Sequence, residues 1–217
     1  DAALFFTHTF TNAGRPTNFS SLPYARIADE NGNALPIDRY YRSNYIQETK
    51  QNGLLDWTYR PLDEINLINN KQKTNSLILN TGLNYDIGKG LIVEIKYQYE
   101  NAQGAGKDIR SMASYYTRDR INTYTQGGTD GALFRPIPLG DILNESTNSF
   151  TSQSLRLQLN YSKTWDKHQL TGLAGAEARQ ANTTLTQSTQ YGYNPHILTT
   201  IAVNYDTDYT LYLSLIH

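Results

Sequence analysis

The side chains in this sequence most capable of chemistry are carboxylates set beside arginines. Asp63 and Glu64 are adjacent, and Asp119 lies between Arg118 and Arg120. Two carboxyls held in different protonation states are what glycoside hydrolysis needs. The ordinary alternative for such groups is an ion pair in a loop, and that alternative is preferred. Other signatures are weaker still. His8, His168, His196 and His217 are isolated, with no H-x-x-x-H or mixed carboxylate spacing that would hold a metal. Asp29-Glu30-Asn31-Gly32-Asn33 spells the opening of a calcium loop, but Ala34 and Tyr40 stand where its glycine and glutamate belong, so a plain turn is expected. Gly104-Ala105-Gly106-Lys107 hints at a phosphate loop, yet Asp108 replaces the required Ser/Thr and Asn101 the first glycine. The N-x-[ST] sequons at Asn18, Asn144, Asn160 and Asn182 follow from a chain rich in Asn, Ser and Thr. No catalytic residue, metal site or cofactor is expected.

Aromatic rings are the more informative chemistry. Tyr45, Tyr191 and Tyr193, together with Tyr40, Tyr41, Trp57, Tyr59, Tyr115 and Tyr116, all fall in segments that read as loops. Such rings stack on the C–H faces of sugars or anchor a partner protein, because they offer large contact area at low entropic cost. They also pack long loops into self-supporting lobes. Tyr40, Tyr41, Trp57, Tyr59, Tyr115 and Tyr116 are the candidates for substrate or partner contact.

The elements that must position these rings are β-hairpins. In residues 75–100, NSLILNTGLNYDIGKGLIVEIKYQYE, the odd positions run Leu77, Leu79, Thr81, Leu83, Tyr85, Ile87, Leu91, Val93, Ile95, Tyr97 and Tyr99. The even positions carry mainly Asn80, Asn84, Asp86, Glu94, Lys96, Gln98 and Glu100. Period two over this length gives each strand one face that avoids water and one that seeks it. Gly88-Lys89-Gly90 makes the reversal. A second hairpin places Leu155, Leu157, Leu159, Tyr161 and Trp165 on one face, turns at Asp166-Lys167-His168, and returns with Leu170, Gly172, Ala174, Ala176 and Ala178. Asn31-Gly32 predicts a further small hairpin, residues 1–10 the end of a strand, and residues 197–205 the start of another.

Composition narrows the partners. A net charge of -1 from 19 basic and 20 acidic residues gives no electrostatic field for nucleic acid, so none is expected. Cysteine is absent, which removes disulfides and thiolate metal sites. No apolar run approaches the ~20 residues of a spanning helix, and no signal-peptide pattern is present. The mean hydropathy of -0.58 is compatible with a soluble protein and with a transmembrane barrel, whose lipid-facing and lumen-facing residues alternate.

Loop lengths separate those two. Short turns alternate with long polar connections over residues 11–22, 101–151 and 180–194, and residues 66–75 read as a polar approach to the first hairpin. Tight turns on one side and long excursions on the other characterise outer-membrane barrels, as do aromatic residues near both strand ends. The expected fold is therefore all-β: an incomplete, antiparallel up-and-down transmembrane β-barrel segment with long extracellular loops. Its lipid-facing side chains would be Leu77, Leu79, Leu83, Tyr85, Leu91, Val93, Ile95, Tyr97, Leu155, Leu157, Leu159 and Trp165. The competing class is a soluble all-β carbohydrate-binding or adhesion module, in which the apolar faces meet in a sandwich core.

Several strings, in order, carry a resemblance. PYARIADENGNALPIDRYYRSNYI (residues 23–46), GLLDWTYRPLDE (53–64), NYDIGKGLIVEIKYQYE (84–100), SYYTRDRIN (114–122) and YSKTWDKHQLTGLAGAEARQ (161–180) are similar to the barrel part of SusC/RagA-type TonB-linked outer-membrane proteins. The resemblance runs from about Pro23 to Tyr205. It implies a TonB-dependent transporter in the outer membrane of a Bacteroidetes-like Gram-negative cell, with a barrel of about 22 strands and an N-terminal plug. It further implies a SusD-like surface lipoprotein and the TonB complex as partners, and glycans or peptides as cargo. On this reading the chain is a fragment without a plug domain. Its last stretch, Asp208 to His217, departs from the family pattern.

Overall fold

A computed structural model of the chain describes residues 1–12, 24–127 and 132–212. Most of the polar loop expected over residues 11–22, the sequon at Asn18, Gly128, Gly131, Pro23 and the end of the divergent tail lie outside the described residues. The fold is mostly β. Six antiparallel strands form one sheet, curled into a half-barrel, in the order β1 (Ala2–Asn12), β2 (Ile68–Gly88), β3 (Leu91–Arg110), β6 (Asp141–Trp165), β7 (His168–Asn194) and β8 (Thr199–Ile201). Neighbours in the sheet follow one another along the chain, apart from an inserted two-stranded ribbon of β4 (Gln126–Gly127) and β5 (Leu133–Phe134). Three helices, α1 (Ser43–Gln51), α2 (Pro61–Glu64) and α3 (Tyr115–Tyr124), occupy the connections. The string SYYTRDRIN is thus the capped start of a helix.

Contacts divide the chain into two units. The first comprises residues 1–11, 72–105 and 146–186, and is built of strands. Its two hairpin turns fall as the glycine and aspartate patterns predict. Gly88, Lys89 and Gly90 have φ of 94°, 56° and 86°, and Asp166 has φ 50°.

Side-chain contacts across neighbouring strands identify which residues share a face, since only same-face side chains meet. The Tyr97 hydroxyl donates to Gln153 Oε1 (3.3 Å), Asn101 Nδ2 to Thr151 Oγ1 (3.1 Å) and Gln153 Nε2 to Gln180 Oε1 (3.3 Å), while His8 Nδ1 lies 2.6 Å from Asn75 Oδ1. One face therefore collects the odd residues of β2, β3 and β6 with the even residues of β1 and β7. It is the apolar face. Leu4, Phe6 and Phe10 join Leu83, Tyr85, Ile87, Ile95, Leu155, Leu157, Leu159, Trp165 and Leu170 there, and all are exposed. Leu77, Leu79, Leu91, Val93 and Tyr97 on the same face are half-buried by their neighbours. Among the described residues every buried hydrophobic side chain belongs to the second unit, and none of the described residues forms a layer over this face.

The apolar face is a bounded belt. On β2 it starts after Asn75, on β3 it ends at Tyr99 before Asn101, on β6 Leu155 is preceded by Gln153 and Thr151, and on β7 Ala178 is followed by Gln180. About nine to eleven residues of each of β2, β3, β6 and β7 lie within it. Lys163 interrupts it beside Trp165 at the turn end, where a long cationic side chain can reach polar surroundings.

The strands outrun this belt, and here the expectation from sequence is corrected. β2 already begins at Ile68, β3 continues to Arg110, β6 begins at Asp141 and β7 runs on to Asn194. The connection assigned to residues 101–151 shrinks to residues 111–140, and residues 180–194 are strand. Ladder hydrogen bonds hold a strand wherever a neighbour presents its edge, whether or not one face is apolar. Strand segments polar on both faces carry no alternation to read.

The second unit comprises residues 12–71, 106–145 and 187–217. Its core is Ile46, Leu54, Trp57, Tyr59 and Tyr115, flanked by Ile37, Tyr41, Tyr45, Leu133 and Tyr212. Asn31-Gly32 makes the expected reversal, reduced to a single bridge between Ala28 and Ala34. The strand anticipated over residues 197–205 is the short β8, whose register against β7 pairs Tyr191 with Ile201 and Asn194 with Thr199.

Candidate functional site

The site-bearing part of the second unit is organised by α3. Ser114 caps it, its Oγ accepting the Thr117 N–H at 3.3 Å. The next turns project Arg118, Asp119 and Asn122 toward residues 55–58. Arg118 donates to the carbonyls of Asp56 (2.6 Å) and Thr58 (3.1 Å). Asp119 Oδ1 accepts the Trp57 indole N–H at 3.0 Å, and Asn122 pairs with both backbone groups of Leu55. From α2, Glu64 accepts the Tyr115 N–H at 2.7 Å.

Of the three carboxylates that suggested acid/base chemistry, Glu64 is thus committed to the Tyr115 backbone and Asp119 to Trp57. Burial pushes the Glu64 carboxyl up, against the lowering pull of the Tyr115 N–H. Burial likewise raises Asp119, with the Trp57 bond opposing. Asp63 is exposed beside Glu64. The Asp29 carboxylate is filled by its own turn, accepting from Asn31 N, Asn33 N and Asn33 Nδ2 at 2.8 Å each, which holds it below its ordinary value. Among the described residues no group of three or more His, Cys, Asp or Glu is arranged to bind a metal.

The six candidate rings separate by burial. Trp57, Tyr59 and Tyr115 are 1%, 7% and 3% exposed and form the core itself. Tyr41 packs on Trp57 with centroids 4.5 Å apart, and burial pushes its hydroxyl up to about 12. Tyr116 is half-buried under the Arg110 guanidinium, 3.8 Å from its ring centre. Tyr40 is 68% exposed and is the one of the six with a largely open ring. Arg39 lies over Tyr40, Tyr59 and Tyr115 at 5.1, 4.8 and 5.2 Å, pinning the segment before α1 to the core.

Two concavities contain residues that sequence reasoning did not single out for binding. In the first unit, the polar face of the sheet bounds a cavity of about 450 Å³ lined by Asn80, Lys96, Gln98, Ser154, Arg156 and Glu177. Lys96 pairs with Glu94, and Arg156, Gln158 and Asn160 form a hydrogen-bonded chain along β6. This face is mainly polar, interrupted by Phe5, Ile78, Ile92, Phe150, Leu173 and Leu185, and it is concave where the cavity forms. In the second unit, a cavity of about 400 Å³ gathers Arg120, Tyr124, Tyr191, Asn204 and Tyr205 from α3, β7 and the segment after β8. No spacing in the sequence links these positions; only the fold brings them together.

No protein-family model matches the chain, and no curated protein matches it.

Proposed function

We propose that the chain is a segment of a TonB-dependent outer-membrane importer of the SusC/RagA type. It contributes barrel strands and an outer lobe to energy-coupled uptake of glycans or other oligomeric nutrients. The observation that carries this reading is the belt: a band of apolar side chains, about one bilayer crossing tall, exposed on one face of a sheet whose other face is polar and locally concave. Such a surface has an obvious solvent in acyl chains. A soluble sandwich module needs a second layer over the belt, and none of the described residues supplies it. The strands that outrun the belt carry the lobe, which on this reading is where cargo and a SusD-like surface lipoprotein are met, while TonB acts through the rest of the full-length protein. The work is selective binding and passage, with no covalent step.

The absence of native cysteine makes the test clean. Single cysteines at positions 153–160, spin-labelled in phospholipid vesicles, should show oxygen accessibility at 155, 157 and 159 and aqueous nickel-reagent accessibility at 154, 156 and 158. Equal accessibility to nickel reagent at every position, or a monodisperse protein that melts cooperatively without detergent, would overturn the importer reading.

A further inference from the structure

We propose that the Arg120 cavity in the lobe is a subsite for a uronic-acid residue of a saccharide. The inference deepens the importer reading by giving the cargo a chemistry, and it takes its biological setting from that reading. Arg120 is half-buried, and its guanidinium carbon stands 5.8 Å from the centre of the Tyr116 ring and 6.0 Å from that of Tyr124. Among the described residues no carboxylate lies within ion-pair distance of it, although Arg110, on the same Tyr116 ring, is paired with Asp108 at 3.2 Å. A cation beside two rings, hydrogen-bonded to the Tyr116 side chain, partly desolvated and with no ion-paired carboxylate among the described residues, faces a space large enough for a sugar unit.

The walls select among anions. The Tyr205 hydroxyl donates to the Thr189 carbonyl at 3.1 Å, which fixes that ring in place. Asn204 is held by its own turn, donating to Thr207 Oγ1 (3.0 Å) and accepting the Asp206 N–H (2.9 Å). Tyr124 and Tyr191 line the cavity with hydroxyls that make no hydrogen bond within the described residues, so both can bond to a ligand. Pre-positioned phenol rings offer flat surface to sugar C–H groups at low entropic cost. The planar fork of arginine fits a carboxylate with two parallel hydrogen bonds. Asp208 also lines the cavity; its carboxylate opposes a dianionic phosphate more strongly than a single carboxylate and can accept a ring hydroxyl. One carboxylate on a hydroxyl-bearing ring that also presents a C–H face meets all of these conditions, which is the description of a pyranuronic acid.

The test is calorimetric titration of the protein, in detergent micelles, with digalacturonate and with its neutral counterpart, digalactose. Digalacturonate should bind at least tenfold more tightly, and the difference should shrink with added salt. Arg120→Gln should weaken digalacturonate roughly ten- to hundredfold and leave digalactose unchanged, while Arg120→Lys should retain part of the preference. Tyr191→Ala should weaken both. Unchanged emission of the buried Trp57 serves as the folding control. Equal affinity for the two sugars, no binding of either, or no effect of Arg120→Gln would overturn the proposal. If the variants fail to fold, the comparison of the two sugars on the unaltered protein still decides it. Binding of digalacturonate with a failed cysteine scan would remove the importer and keep the subsite; the converse would do the opposite.

Discussion

Asn122 satisfies both backbone groups of Leu55, donating from Nδ2 to the carbonyl at 2.7 Å and accepting the N–H on Oδ1 at 2.8 Å. The amide imitates a neighbouring strand and fastens residues 53–60 to α3. Asn122 is fully buried, so its removal leaves two partly buried backbone groups without their partner. Asn122→Ala should cost roughly 2–4 kcal/mol, since each unpaired buried group costs about 1–3 kcal/mol. Denaturant unfolding followed by Trp57 emission measures it, and hydrogen exchange at the Leu55 amide should accelerate in step. A loss below about 0.5 kcal/mol would mean that the clamp is ornamental.

Arg118 performs a related task from the same helix, reaching the Asp56 and Thr58 carbonyls with separate guanidinium nitrogens. Lysine cannot span two carbonyls with a fixed fork. Arg118→Lys should therefore destabilise the lobe by about 1–3 kcal/mol, the range for hydrogen bonds to a charged group. Lys at this position matching the native melting curve would assign the stability to charge alone.

Two carboxyls predict opposite pH responses. Burial raises the folded value of Glu64 above its ordinary 4.5, so the stability its protonation confers is present below pH 4.5 and lost as pH climbs through that raised value. Glu64→Gln keeps an acceptor for the Tyr115 N–H and should be more stable than the native protein at pH 7, with the gain vanishing below about pH 4.5. Asp56 has the reverse sign. Burial raises it, but bonds from the Thr58 hydroxyl and N–H and from Lys50 outweigh that and bring it to about 2. Its contribution is present above pH 3.8 and is lost as pH falls through about 2, so Asp56→Asn should cost stability at neutral pH and progressively less as pH falls from about 4 to 2. Melting temperatures across pH 2–7 for both variants check the two signs at once.

The parts of the fold legible in the sequence are those where the two faces of a strand differ in polarity. Leu77–Ile87 and Leu155–Trp165 alternate because one face lies in the belt, and their turns were marked by Gly88-Lys89-Gly90 and Asp166. Beyond the belt the same strands run on through Asn101–Arg110 and Gln180–Asn194, where apolar residues such as Ile109 and Leu185 are too sparse to alternate and Gly104, Gly106 and a Thr-rich tract suggest loops. Neighbouring strands, not side-chain periodicity, decide the conformation there. The rings of the lobe were recognisable as a set, but Trp57 and Tyr115 in the core look no different in sequence from Tyr40 on the surface. Burial depends on α3, whose short polar sequence SYYTRDRIN has no apolar stripe. The Arg120 cavity joins three distant segments, which no local pattern can announce.

The belt makes its own prediction through neighbouring positions. Leu159 lies on the apolar face and Ser162 on the polar one. On the proposed importer reading, Leu159→Lys in phospholipid vesicles should cost about 2–4 kcal/mol, the penalty for a cation near the middle of a barrel's lipid face, whereas Ser162→Lys should cost less than about 1 kcal/mol. Urea unfolding in vesicles distinguishes them. Equal losses would mean that the two faces meet the same solvent.

Gly90 and Gly88 flank the first turn with similar backbone angles, φ 86° and 94°, but only one is crowded. A Cβ on Gly90 would sit 1.8 Å from the Ser162 carbonyl oxygen, while one on Gly88 would meet nothing within 4 Å. The crowding exists because β6 reaches back to this turn, with Ser162 N–H donating to the Gly90 carbonyl at 2.8 Å. Gly88→Ala should cost only the backbone penalty of a left-handed residue, about 1–2 kcal/mol. Gly90→Ala must also push the two strands apart and lose that hydrogen bond, for a total above about 3 kcal/mol. Equilibrium unfolding of the pair separates the two contributions. If the variants proved equally stable, the junction of β3 with β6 at the turn would be looser than the Gly90–Ser162 bond requires.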